Sequence, residues 1–228
     1  MKLSTLLLLV TIPTAIGTPM VTQGGTLIAG QGLFTNAVGA TTIDFNNGVT
    51  PNAGMAVYSL VNGSLVQGNK SGVYASPVND TTRYLTVDPT RNAVITFNQQ
   101  MSYFGFFASS LDCYNSISLM SNDVTILSLN GGQLAQLGGF SADGNQGKGL
   151  YVNIYASKPG DYFNKVTFSS TGYAFETDNH SFQAATPEPG TFLTIGVALA
   201  ALVYLRQKKG LAISFVTADK SKQSPGNS

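Results

Sequence analysis

The feature that most narrows what this chain can fold into is a series of short alternating segments. They are rich in β-branched and aromatic residues, and most end at Asn, Gly, Asp or Pro. Tyr84-Leu85-Thr86-Val87, Ala93-Val94-Ile95-Thr96-Phe97 and Tyr103-Phe104-Gly105-Phe106-Phe107 have this form. So do Ser116-Ile117-Ser118-Leu119-Met120, Val124-Thr125-Ile126-Leu127-Ser128 and Tyr151-Val152-Asn153-Ile154-Tyr155. Lys165-Val166-Thr167-Phe168-Ser169 and Tyr173-Ala174-Phe175-Glu176-Thr177 complete the set. A period of two is the strand period, and Asn62-Gly63, Ser121-Asn122-Asp123, Asn130-Gly131-Gly132 and Lys158-Pro159-Gly160-Asp161 carry turn chemistry. With no long amphipathic helix between them, these strands predict an all-β fold, a single jelly-roll-like β-sandwich. Gln133-Leu134-Ala135-Gln136-Leu137 predicts one short helical turn.

The two ends have a different character. Lys2 precedes the apolar run Leu6–Ile12, Pro13 breaks it, and Ala15 and Gly17 supply small residues for cleavage. This is the layout of a secretory signal peptide over 1–17, too short to span a bilayer. Near the other end, Thr191–Leu205 carries no charge, and Arg206, Lys208 and Lys209 follow at once. As a helix that run is roughly 22 Å long, and flanking residues with a snorkelling Arg206 nearly close the gap to a bilayer of about 30 Å. The basic cluster stays in the cytoplasm, which places the bulk of the chain outside.

Just before the apolar run stands Thr186-Pro187-Glu188-Pro189-Gly190. Pro187, Glu188 and Pro189, then an apolar helix, then a basic cluster, resemble the tripartite PEP-CTERM sorting signal of exosortase-dependent surface proteins of Gram-negative bacteria. The resemblance implies that a membrane-embedded exosortase recognises Pro187-Glu188-Pro189, cuts nearby and passes the protein to the envelope or extracellular matrix. The element has physical sense: two prolines hold an extended, unpaired backbone around a single carboxylate. Members of the family end soon after the basic cluster. Here the chain continues, and 210–228 reads as a polar cytoplasmic tail. The central part is similar in texture to a subset of the same proteins, through Thr41–Gly48, Tyr103–Ala108 and Gly172–Asn179.

The organisation expected is therefore a signal peptide at 1–17, a sandwich domain at 18–185, a sorting signal with a transmembrane helix at 186–209, and the tail. From 18 to 186 the chain holds six basic and nine acidic residues, a balance of −3 that excludes a nucleic-acid surface. A single Cys excludes an internal disulfide framework, and Cys113 is expected to be a small buried hydrophobe.

Catalytic patterns are poorly represented. Gly139-Phe140-Ser141-Ala142-Asp143 starts like a nucleophile elbow but has Asp143 where Gly is required, and His180 is the sole imidazole. Gly144–Gly149 fails as a phosphate loop because Ala142 and Gly149 occupy positions needing Gly and Ser or Thr. Glu176 and Asp178 share one face of a strand, where a solvated pair is expected rather than a glycosidase dyad. Asp44, Asn46, Asp178 and Asn179 form a candidate set of oxygen ligands for a structural calcium, and turn-forming Asx residues account for the same pattern. The sequons at Asn62, Asn69, Asn79 and Asn179 read as compositional. Tyr58, Tyr74 and Tyr84 have the rings to stack on sugars but fit core or strand-pair positions better.

The reading that follows is a non-enzymatic exported protein. It is first anchored in the inner membrane, then released to the cell surface or matrix. Its role is structural or adhesive, linked to exopolysaccharide or biofilm. A carbohydrate-binding module with a defined glycan ligand and a secreted hydrolase are the alternatives.

Overall fold

A computed structural model describes residues 19–61, 64–89, 91–156, 158–186 and 197–207. Ala15, Gly17, Pro187, Glu188, Pro189, Lys208 and Lys209 lie outside the described residues, as does the sequon Asn62. The chain divides into two units, Met1–Ala185 and Thr186–Ser228.

The first unit is all-β and antiparallel. Its strands are β1 (Met20–Gln23), β2 (Thr26–Ile28), β3 (Gly32–Phe34), β4 (Thr41–Ile43), β5 (Ala56–Val61), β6 (Ser64–Gln67) and β7 (Arg83–Val87). Then come β8 (Arg91–Ser109), β9 (Asn115–Ser121), β10 (Val124–Asn130), a helix α1 (Gly131–Leu137), β11 (Gly149–Tyr155), β12 (Phe163–Ser170) and β13 (Phe175–Ala184). Two of the expected strands, 93–97 and 103–107, are parts of one 19-residue strand, β8. The polar Asn98-Gln99-Gln100 between them contains neither Gly nor Pro, so nothing forces a turn there.

Strand β8 curls the sheet. Its first half pairs with β5, from Val61↔Asn92 to Ala56↔Phe97. Its second half lies between β11 and β13. One wall thus runs β1-β11-β8-β13-β7-β6, with β4 beside the second half of β13. The bridge Phe163↔Met101 leads from β8 into β12, β9 and β10, which form the opposing wall. Between the walls Phe106 meets Phe168 edge-on at 5.1 Å, and Phe168 meets Phe175 at 5.5 Å. Phe97 joins the same cluster through Phe104 and extends it to Phe163 and Phe182.

Local chemistry explains the turns. Asn122 and Asp123 both have positive φ, the backbone of a two-residue hairpin loop, and they join β9 to β10 with Ser121 opposite Val124. The expected helical turn is present and slightly longer, capped by Asn130 and Gln133 in a reciprocal box. Tyr58 and Tyr84 are buried, and half-buried Tyr74 lies edge-on to Tyr84 at 6.4 Å, as the core and strand-pair expectation holds. Cys113 is exposed, against expectation. It sits in the turn between β8 and β9, where Leu111 takes the core position and Cys113 faces outward.

In the second unit residues 197–207 are helical, with Val197, Leu199, Leu202, Val203 and Leu205 exposed. Among the described residues no helix is long and apolar enough to cross a membrane.

Gly131 couples α1 to the β8–β9 turn. A Cβ there would come within 2.0 Å of the Asp112 carbonyl oxygen, which is backbone and cannot swing aside. Gly131→Ala is expected to destabilise the domain by about 2 kcal/mol in a denaturant titration. An unchanged midpoint would show that this contact does not constrain the turn.

Candidate functional site

Strand β13 determines the chemistry of the molecule. Residues 175–182 are all buried, although Glu176-Thr177-Asp178-Asn179-His180-Ser181 are all polar. Asn179 has a positive φ of 50°, and the register with β8 slips between Asp178 and Ser181. Such a bulge re-aims the side chains on either side of it. Thr177 and His180 face the aromatic core, while Glu176, Asp178, Asn179 and Ser181 have their partners on the other side.

His180 is a core residue. Its Nδ1 lies 3.1 Å from the Tyr58 hydroxyl and its Nε2 lies 3.0 Å from Thr177 Oγ1. It stacks on Phe168 at 4.9 Å, and burial lowers its pKa to about 3. With both nitrogens engaged it serves no nucleophile, and Ser141 sits on an exposed loop.

The acids of β13 depart from expectation. Glu176 and Asp178 are 3% and 0% exposed, not solvated. The strand period does put both on one face, but residues 68–82 fold across that face. The Ala75 N–H donates to Glu176 Oε1 at 3.0 Å. Asp178 meets the Asp80 carboxyl, and Asp80 Oδ1 accepts from the Thr82 N–H and hydroxyl at 2.8 and 2.5 Å. Burial, then the neighbouring Asp80, raises the Asp178 pKa to about 10, so Asp178 is protonated at neutral pH.

The calcium candidates form two pairs, Asp44 with Asn46 and Asp178 with Asn179. Strand β4 lies beside β13, His180 opposite Ile43, and Asp44 is near enough for its charge to act on Asp178. The Asp44 carboxylate accepts from Asn46 through Oδ1 and Oδ2. Asn179 Nδ2 donates to the carbonyls of Gln31 and Leu33. That engagement also buries the Asn179 sequon.

The most site-like arrangement lies at the start of β13. A cleft of about 350 Å³ is lined by residues 69–75, by Ser110 and Asp112, by Gly144 and Gln146, and by Tyr173, Ala174 and Glu176. Lys70 and Tyr74 exchange backbone hydrogen bonds, closing the turn that forms one lip. Tyr173, 57% exposed, forms another part of the rim. The Tyr114 hydroxyl lies 2.7 Å from Asp112 Oδ2 and 2.5 Å from the Tyr173 carbonyl, which ties the two sides together. Gly172 makes room for this, because a Cβ there would strike the Tyr114 ring at 2.6 Å.

Two polar atoms in the cleft wall are incompletely used. Glu176 Oε2 and Ser110 Oγ are buried and have no hydrogen-bond partner among the described residues. Burial raises the Glu176 pKa to about 7, opposed by the backbone N–H groups of Ala75 and Glu176 and reinforced by Asp112 and Asp88. Near neutral pH such a carboxyl group can accept or donate a hydrogen bond. Ser110, Asp112 and Lys70 fit no sequence pattern, and Tyr173, expected within a strand, lies in the bend before β13; all four enter the site only through turns of the folded chain.

No family model matches this chain, and no curated protein matches it. Among solved structures it is similar to the catalytic unit of a thermostable GH87 alpha-1,3-glucanase from Streptomyces thermodiastaticus strain HF3-3. The likeness has 9% identity and a TM-score of 0.30, and it covers 60% of this chain and 28% of that one. At that depth it carries no argument about fold or activity.

The burial of Glu176 has a pH signature. The folded carboxyl group keeps its proton up to about pH 7, whereas the unfolded one loses it near 4.5. Its contribution to stability is therefore full below pH 4.5 and is lost as pH rises through 7. Asp178 acts with the same sign up to about pH 10, and His180 with the opposite sign between about 6.5 and 3. Glu176→Gln should flatten the decline in melting temperature between about pH 5 and 8 and leave the acid limb unchanged. Parallel wild-type and variant profiles would contradict this assignment.

Proposed function

We propose that this protein is exported and then sorted by an exosortase to the cell surface or extracellular matrix. There its body, a jelly-roll-like β-sandwich, plays a non-enzymatic structural or adhesive part in contact with exopolysaccharide. The observation that carries the reading is Pro187-Glu188-Pro189 placed directly ahead of an uncharged apolar run and the basic cluster Arg206, Lys208 and Lys209. The signal-peptide layout at 1–17 supports it. So does the engagement of the sole imidazole in the core, which withdraws His180 from any serine or cysteine nucleophile.

Mass spectrometry of the envelope fraction tests this reading. Chains ending near Pro187 are expected in an exosortase-bearing host, and intact chains in a host lacking the enzyme. An intact C-terminus in both would reject sorting.

One observation favours a second reading, that of a secreted glycan hydrolase. Glu176 and Asp112 line the same cleft, and a carboxyl group titrating near 7 is suited to general-acid chemistry. On this reading polysaccharide incubated with the protein gains reducing ends, and both Glu176→Gln and Asp112→Asn abolish the gain. On the leading reading no reducing ends form.

A further inference from the structure

We propose that the cleft at the start of β13 is a binding subsite for a neutral saccharide unit, held at its hydroxyls by Glu176, Ser110 and Asp112 and covered on one ring face by Tyr173. The inference deepens the polysaccharide-contact reading by giving that contact a place and a chemistry.

The unpartnered atoms are the starting point. A buried polar atom without a hydrogen bond carries an uncompensated desolvation cost, so a ligand that supplies the bond recovers part of it on entering. Glu176 Oε2 and Ser110 Oγ are such atoms, on residues 3% and 6% exposed, and both residues line the cleft. The covering segment 68–82 holds Glu176 in place through the Ala75 N–H, which occupies Oε1 and leaves Oε2 without a partner among the described residues. Ser110 is held with a positive φ of 52° at the end of β8.

The chemistry of the ligand follows from the remaining wall. An anionic group such as phosphate would face the carboxyl groups of Glu176 and Asp112, with one exposed ammonium, Lys70, to offset them. A cation would meet Lys70 at the rim and would require Glu176 to ionise against its burial. An apolar ligand would leave Oε2 and Oγ unsatisfied. A polyol avoids all three problems, because each hydroxyl group both donates and accepts and so suits Glu176 in either protonation state. The exposed Tyr173 and half-buried Tyr74 add the flat apolar surface against which a pyranose ring packs its C–H face.

The test uses the full-length chain in a zwitterionic detergent free of sugar headgroups. Cellotetraose and mannotetraose are titrated by calorimetry, with tetragalacturonate and spermidine as anionic and cationic controls. At least one neutral tetrasaccharide should bind saturably and more tightly than either control. Asp112→Asn and Tyr173→Ala should each weaken that binding about tenfold or more. Lys165→Ala, on β12, should leave it unchanged. The Tyr173 side chain is exposed, so Tyr173→Ala retains the fold and decides the matter even where a Glu176 variant does not fold.

Absence of binding by both neutral probes, tighter binding of a charged control, or undiminished affinity in Tyr173→Ala would overturn the proposal. Its failure is separable from that of the sorting reading. An unprocessed C-terminus leaves a saccharide isotherm intact, and a processed chain indifferent to both sugars leaves sorting intact.

Discussion

A polar strand buried on both faces is the constraint on which this structure depends. Strand β13 has β8 along one edge and β7 and β4 along the other, with the aromatic core on one face and residues 68–82 over part of the other. Water is excluded, so each side chain from Glu176 to Ser181 must find its partner within the protein. Thr177 and Tyr58 serve His180, and the carbonyls of Gln31 and Leu33 serve Asn179. Thr42 and Tyr151 serve Ser181, and Asp80 meets Asp178. These partners come from distant parts of the sequence, so satisfying β13 also gathers the loops that build the cleft.

This satisfaction is incomplete at Asn179 Oδ1 and at Glu176, and of the two it is Glu176 that lines the cleft. One carboxylate oxygen takes a backbone N–H and the other takes no partner among the described residues. The neighbouring Asp178 resolves the same problem differently, by keeping its proton beside another carboxyl group. The contrast has a structural cause: Asp178 meets Asp80 and Thr82 of the covering segment, whereas Glu176 meets Ala75 and also lines the cleft. A half-satisfied carboxyl group in the wall of a polar cleft is well placed to meet a ligand. That is the physical link between the fold and the proposed saccharide subsite.

Several features were legible in the residues because their causes are local. The alternation of Val166, Phe168 and their neighbours marks β12, and Asn122-Asp123 carries the backbone preference of its hairpin turn. Asn130 and Gln133 cap α1 through atoms three residues apart. The same local logic misled at Asn98-Gln99-Gln100, where polarity suggested a break, and at Cys113, whose composition does not say which way a turn faces. Strands β1, β2 and β3 are too short for their period to stand out.

By itself the amino-acid sequence determined the strand-rich class, the positions of several turns, the mildly acidic body and the uncharged apolar runs Leu6–Ile12 and Thr191–Leu205. Each of these is a property of neighbouring residues or of a sum over the chain. Only the tertiary structure decided that Glu176 and Asp178 are buried, that His180 belongs to the core, and that Ser110, Asp112 and Tyr173 share a cleft. Burial depends on what covers a residue, and the N–H that covers Glu176 belongs to Ala75, 101 positions earlier in the chain. No pattern of neighbours encodes a meeting at that separation, because it exists only once the sheet has curled and brought the two segments together.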